Sequence, residues 1–147
     1  HAADPTAPSP SPAASTLEIQ QADTTPPLPG PVALFTGRVQ IEGLFQRSDP
    51  ARVGGGTVTF APGARTAWHT HPLGQTLIVT TGEGCVQEWG HPAQTIRRGD
   101  VVWIPPGVKH WHGATPDTEM THVAIAEAID GDAVTWMEPV SESQYLS

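Results

Sequence analysis

From Val32 onward the chain runs in short stretches of alternating apolar and polar residues, cut at close intervals by turn formers. Alternation with period two reads as strands with one buried face. It predicts strands over 32–35, 38–45, 55–61, 67–70, 75–81, 85–89, 94–97, 101–104, 110–115 and 120–129. Pro62-Gly63, Gly82-Glu83-Gly84, Gly90-His91-Pro92, Arg98-Gly99-Asp100, Pro105-Pro106-Gly107 and Pro116-Asp117 separate them as turns. Many short strands at this spacing predict an all-β sandwich or barrel. Upstream, 17–20 alternates and predicts a short edge strand, and 22–31, with Pro26, Pro27, Pro29 and Pro31, predicts an extended connector. Ser141 is placed to cap a short helical turn ending at Tyr145.

Length and charge narrow the picture. A chain of 147 residues predicts one domain with a sizeable core, here 17–147. Residues 1–16 are rich in Ala, Pro and Ser and predict a flexible tail. Such a tail resembles the tether left by an export signal, so the expected location is periplasmic or secreted, with the cytoplasm also compatible. The tail is expected to lie against the domain or a partner subunit. A net charge of −8 argues against nucleic acid or an anionic membrane as partner. No apolar run has the length of a membrane span. Cys85 is the single cysteine, so the chain has no internal disulfide framework.

The candidate chemistry lies in two stretches. His69 and His71 are spaced i, i+2, and so are His110 and His112. On strands, each pair points to one face. Gln75 follows His71 after a Pro-Leu-Gly turn and can bring its amide oxygen to the same point. His69, His71, Gln75 and His110 thus form a neutral-donor set for a divalent metal such as Mn²⁺, Fe²⁺, Ni²⁺ or Zn²⁺. Glutamine rather than glutamate leaves the ion a fuller positive charge for Lewis-acid work. The competing reading is that these histidines satisfy ordinary hydrogen bonds.

His112 shares the inward face of His110 and either orients a ligand or takes part in catalysis. His122 lies on a face with Ala124, Ala126 and Ala128, where small residues leave room for a ligand. It is a candidate base or, alternatively, an inward histidine bonded to a backbone carbonyl. Val58, Phe60, Thr76, Ile78 and Ile104 are expected to point inward and make the pocket apolar. Trp68, Trp103 and Trp111 alternate to the other faces and are expected in packing or a dimer interface. His91, Arg97 and Arg98 read as solvated turn and strand-end residues, and Glu83, Glu88 and the other acids form no catalytic pair.

The spacing Gly63, His69, His71, Gln75, Gly82 resembles the first motif of the cupin superfamily, with Gln in the usual Glu place. Gly99, Pro105, Gly107 and His110 resemble the second motif, with Ala114 where Asn is usual. The resemblance implies a double-stranded β-helix barrel of jelly-roll type. The segments 68–80, 99–103, 109–114 and 120–125 are similar to the bacterial manganese-dependent, (R)-selective cupin hydroxynitrile lyases, and the likeness runs from about Leu17 to Tyr145. It implies Mn²⁺ on His69, His71, Gln75 and His110, His122 as base, His112 in the pocket, Gly56 and Val58 on its wall, and a homo-oligomer (a dimer or dimer of dimers). Relatives mostly carry a residue larger than Gly56. With Phe60, Ile78 and Ala124, these residues make the expected substrate pocket. The implied reaction is cleavage and formation of cyanohydrins from an aldehyde and cyanide. Two other classes compete: an oxygen-using cupin dioxygenase or oxidase, and a non-catalytic periplasmic binder of small molecules.

Overall fold

The computed structural model describes residues 16–147, so the expected N-terminal tail and its packing fall outside the described residues. Among the described residues the regular structure is almost wholly β, in antiparallel strands throughout. In order these are β1 (Leu28–Pro29), β2 (Phe35–Thr36), β3 (Val39–Gln46), β4 (Val53–Phe60), β5 (Arg65–Thr66) and β6 (His69–Thr70). Then come β7 (Gln75–Glu88), β8 (Gln94–Arg97), β9 (Val101–Ile104), β10 (His110–Ala114), β11 (Met120–Glu127), β12 (Thr135–Trp136) and the helical turn α1 (Glu142–Tyr145).

Two layers face each other in a jelly-roll barrel. One runs β1-β3-β4-β11-β7-β9. The other holds β2, β5, β10, β6 and β12, with β8. Strand β7 belongs to both, because its first half pairs with β11 and β9 and its second half with β10 and β8. The predicted turn at Gly82-Glu83-Gly84 is therefore a bend in one strand of 14 residues. Gly82 makes the bend possible. Its φ is +78°, and a Cβ there would collide with the Glu119 carbonyl. The partner strand slips register at the same level, between Thr121 and His122.

Alternation then sorts the faces. Phe60, Leu77, Val79, Ile104 and Met120 are buried between the layers. Because Leu77 and Val79 point inward, Thr76 and Ile78 point outward. This corrects the expectation for both residues, since Ile78 sits beside Val101 and Val123 on the outer face and does not line the pocket.

Three strand expectations also change. Residues 17–20 form no strand, and Leu17 and Ile19 are exposed, because no neighbouring strand offers them a ladder. Residues 32–34 are a turn after Pro31, whose carbonyl accepts from the N–H groups of Leu34 and Phe35, so strand begins only at Phe35. Of the stretch 67–70 only β6 is strand: the Ala67 N–H turns to the Leu34 carbonyl and the Trp68 N–H to that of Glu138, which separates β6 from β5 just ahead of it.

The C-terminal segment closes the outside of the second layer. Ser141 caps α1, as the sequence predicts, and the Gln144 side chain reaches back to the Ser141 N–H to complete a capping box. Trp68, Trp111, Val140 and Tyr145 make a second buried cluster there, and the Tyr145 hydroxyl donates to the Ala114 carbonyl at 2.6 Å.

Candidate metal and proton-transfer centre

The strand pairing assembles the histidines. His69 on β6 and His110 on β10 are direct cross-strand partners, with ring centroids 4.2 Å apart. His71 follows β6 and comes within 4.9 Å of His69, centroid to centroid. Their donor nitrogens all lie within 4.8 Å of one another. Gly74, with φ +82°, turns the chain where Trp103 and the Ile104 carbonyl leave no room for a Cβ, and so delivers Gln75 as the first residue of β7.

Each of the three imidazoles is held by a carbonyl. Nδ1–H of His69 donates to Ala67 at 2.8 Å, that of His71 to Ala133 at 2.7 Å, and that of His110 to Val108 at 2.9 Å. A carbonyl only accepts, so the proton sits on Nδ1 and the Nε2 lone pair is left for something else. Nε2 of His71, Nε2 of His110 and Oε1 of Gln75 are buried without a hydrogen-bond partner. Leaving such atoms unpaired costs about 1–3 kcal/mol each, and a divalent ion satisfies all of them together. Burial pushes His69 and His71 below the ordinary histidine range and His110 down to about 4, which keeps them in the neutral form that binds a metal. The donor set therefore fits a divalent cation.

A second pair lies beside the first group. His112 on β10 and His122 on β11 come from opposite layers, and Nδ1 of His112 is 2.9 Å from Nε2 of His122. Their outer nitrogens, Nε2 of His112 and Nδ1 of His122, are buried without partners. Burial lowers His122 to about 4; burial and then the neighbouring His122 lower His112. Both rings are neutral near pH 7. The alternative in which His122 is spent on a backbone carbonyl is not what forms, because its partner is His112.

These groups border an apolar cavity of about 570 Å³ between the layers. Gly56, Val58, Phe60 and Ala124 line it, as do His69, His71, Gln75, His112 and His122. Phe60 packs against His122 at 5.2 Å and His112 at 6.0 Å between centroids. Gly56 does not simply enlarge the cavity, because Leu44 Cδ2 lies 2.9 Å from where its Cβ would be. Sequence reasoning missed Leu44, Phe35 and Trp136, which also line the cavity. Trp136 reaches it through the pairing of β12 with β6, a contact no local pattern announces. The other singled-out residues lie elsewhere: Trp68 and Trp111 in the second cluster, Trp103 exposed on β9, Cys85 half-buried beside the tryptophans, and His91 in a surface turn with Glu88. Arg97 is exposed and pairs with Glu83.

Comparison with known proteins agrees with this architecture. Residues 56–126 match the Cupin domain family. The chain is 58% identical to an (R)-mandelonitrile lyase of Granulicella tundricola over 88% of its own length and 98% of that protein. A crystal structure of a cupin-like protein from Thermotoga maritima shares 40% identity, with TM-score 0.75, over 87% of this chain and 94% of that one. A cupin 2 conserved barrel domain protein from Rhodopseudomonas palustris, 19% identical, shares the fold with TM-score 0.65 over 82% of this chain and 86% of that one. The two-layer barrel, the histidine donors on its inner faces and identity over most of the length have one reading: the chain belongs to the cupin family.

Proposed function

We propose that this protein is a metal-dependent hydroxynitrile lyase, cleaving a cyanohydrin to an aldehyde and hydrogen cyanide and catalysing the reverse addition. The observation that carries the proposal is the juxtaposition, in one apolar cavity, of a neutral three-histidine, one-glutamine donor set and a neutral histidine pair. Identity of 58% to an (R)-mandelonitrile lyase supports the same reaction and favours aromatic cyanohydrins. His69, His71, Gln75 and His110 would hold the ion, and the resemblance to manganese enzymes favours Mn²⁺ over Fe²⁺, Ni²⁺ or Zn²⁺. When bound, a divalent ion supplies Lewis acidity toward the substrate oxygen.

The proton work falls to His112 and His122. A neutral imidazole carries one N–H, so their shared hydrogen bond leaves one lone pair and one N–H at the two outer nitrogens. With the shared proton on Nε2 of His122, Nδ1 of His122 is the free base and Nε2–H of His112 is the free donor. Nδ1 of His122 takes the hydroxyl proton. The carbon–cyanide bond breaks and its electron pair leaves with cyanide. Nε2 of His112 gives up its proton to form hydrogen cyanide, while the shared proton crosses from His122 to His112. The pair ends in the opposite tautomer, poised for the reverse reaction.

Metal analysis of the purified protein together with a mandelonitrile cleavage assay tests the proposal. Manganese-loaded protein that releases no benzaldehyde and cyanide overturns it. Oxygen consumption with a metal-bound substrate would direct attention to the dioxygenase reading instead.

The outer face of the β4-β11-β7-β9 layer supports self-association. Val101 and Trp103 are exposed on the edge strand β9, beside the half-buried Ile78, Val123 and Ile125. Strands β9 and β11 and the first half of β7 carry no charge except Glu127, on a chain of net charge −8. A second copy can approach this face without like-charge repulsion. A homo-oligomer built on it, and export to the periplasm, complete the proposal; sedimentation of Trp103→Glu protein tests the interface.

A further inference from the structure

Strand β3 breaks its ladder with β4 beside the cavity. Glu42 pairs with Thr57 and Phe45 with Gly55, so Gly43 and Leu44 together stand opposite Gly56. This is a β-bulge, and Gly43, with φ +60°, is the glycine that its left-handed position needs. The extra residue shifts the alternation by one and turns Leu44 and Gln46 to the inner face, where both line the cavity. Gly54 and Gly56 serve a different purpose. Neither has a positive φ, but a Cβ on Gly54 would strike Oε1 of Gln46 and one on Gly56 would strike Cδ2 of Leu44. Two side chains of β3 thus lie in a trough left by two glycines of β4. Gln46 is pinned there, its Nε2–H groups donating to the carbonyls of Arg47 and Arg52 at 3.2 and 3.3 Å. The Leu44 side chain has no such anchor. It is 53% exposed, so one side of it meets solvent and the other the cavity. From β3 through β4 and β11 to β7, where Gln75 stands, the layer crosses three strand spacings, about 14 Å. A molecule whose oxygen meets the donors therefore reaches Leu44 only with its far end.

We propose that Leu44 is a specificity-determining residue of this site: seated over Gly56 at the mouth, it ends the cavity and limits how far a substrate extends from its reacting carbon. The inference rests on the lyase reading and deepens it by adding a length limit. The bulk that sets the limit comes from β3, and the glycine at 56 is the space that receives it. Leu44→Ala reopens the trough down to its glycine floor, and Gly56→Val refills it from the neighbouring strand.

The test uses the metal-loaded full chain with Leu44→Ala alone and combined with Gly56→Val, each checked for unchanged metal content. Steady-state cleavage is measured with mandelonitrile and with its 4-butyl derivative. Calorimetry measures binding of benzyl alcohol and 4-butylbenzyl alcohol, which cannot react. Leu44→Ala is expected to raise the long-to-short ratio of kcat/KM, and that of the association constants, on the order of tenfold, through KM rather than kcat. Adding Gly56→Val is expected to bring both ratios back near their original values. Unchanged ratios overturn the proposal, as does a long compound that binds worse without Leu44, or a raised ratio that Gly56→Val fails to lower. If no cyanohydrin turns over yet the alcohol ratio moves as expected, the length limit stands and the lyase reading falls. If mandelonitrile is cleaved and neither ratio moves, the reverse holds. Should the double variant fail to fold, Leu44→Phe gives the contrast in the opposite direction: added bulk at the mouth must lower both ratios.

Discussion

Nδ1 of His112 and Nε2 of His122 meet at 2.9 Å across the gap between two layers that share no ladder between β10 and β11. The hydrogen bond joins the two layers across the cavity, beside the buried donors His69, His71, Gln75 and His110. It fixes how two neutral imidazoles divide one lone pair and one N–H between their outer atoms.

That division makes the two histidines act as a unit. His122→Ala is expected to lower kcat for cyanohydrin cleavage by about 10²–10⁴-fold with metal content unchanged. His112→Ala is expected to cost a similar factor, and the double variant little more than either alone. Full additivity in this cycle would show that the residues work separately.

Acid should loosen the fold from within. His122 titrates at about 4 when folded, because burial disfavours its charged form, and at about 6.5 when unfolded. The unfolded chain therefore binds more protons below pH 6.5. Stability is complete above that value and is lost as pH falls toward 4, by on the order of 3 kcal/mol at pH 4 from His122 alone. Urea unfolding of metal-free protein between pH 7 and pH 4 measures this. His122→Phe, which keeps a ring but no titratable group, should flatten part of the slope.

Metal should be worth stability as well as activity. Chelation leaves Nε2 of His71, Nε2 of His110 and Oε1 of Gln75 buried and unpaired. A lowered Tm, recovered on adding back manganese, is expected by calorimetry. Gln75→Glu should hold the ion about tenfold or more tightly yet slow cleavage, since an anionic donor offsets part of the ion's charge.

Arg65 fastens the C-terminal segment behind the site. Nη2–H donates to the Val140 carbonyl at 2.9 Å, Nη1–H donates to Glu142 at 3.2 Å, and the guanidinium lies 4.4 Å from the Tyr145 ring centroid. Arg65→Met is expected to cost about 2–4 kcal/mol in urea unfolding, because it strands a buried carbonyl. Glu142→Gln should cost less than about 1 kcal/mol, since that carboxylate is mostly exposed.

Two glycines with the same backbone sign should respond differently to alanine. Gly82 (φ +78°) has the Glu119 carbonyl where a Cβ would go, whereas Gly63 (φ +83°) faces open space. Gly63→Ala is expected to cost about 1 kcal/mol and Gly82→Ala more than about 3 kcal/mol, compared by thermal unfolding.

Much of this was legible in the sequence, for local reasons. Period-two alternation marks strands because successive side chains take opposite faces, and it placed β8 and β9 to the residue. The i, i+2 histidine pairs announced inward imidazoles for the same reason, and the Ser141 cap is a contact within one turn. Alternation alone cannot say which of two faces is inner in a run such as Thr76-Leu77-Ile78-Val79, which is why Thr76 and Ile78 are expected inside and lie outside. Nor can it separate a turn from a bend: Gly82-Glu83-Gly84 has turn composition, and pairing with β10 and β11 made it the corner of one strand. Tertiary structure decided what depends on contacts distant in sequence. It joined His112 to His122 from opposite layers, laid Trp136 on His69 through β12, and set Leu44 over Gly56. The sequence by itself determined which side chains carry the chemistry and that they face one interior. Only packing of the layers decided which of them touch, because hydrogen bonds and ring contacts act over a few ångströms between residues that lie far apart along the chain.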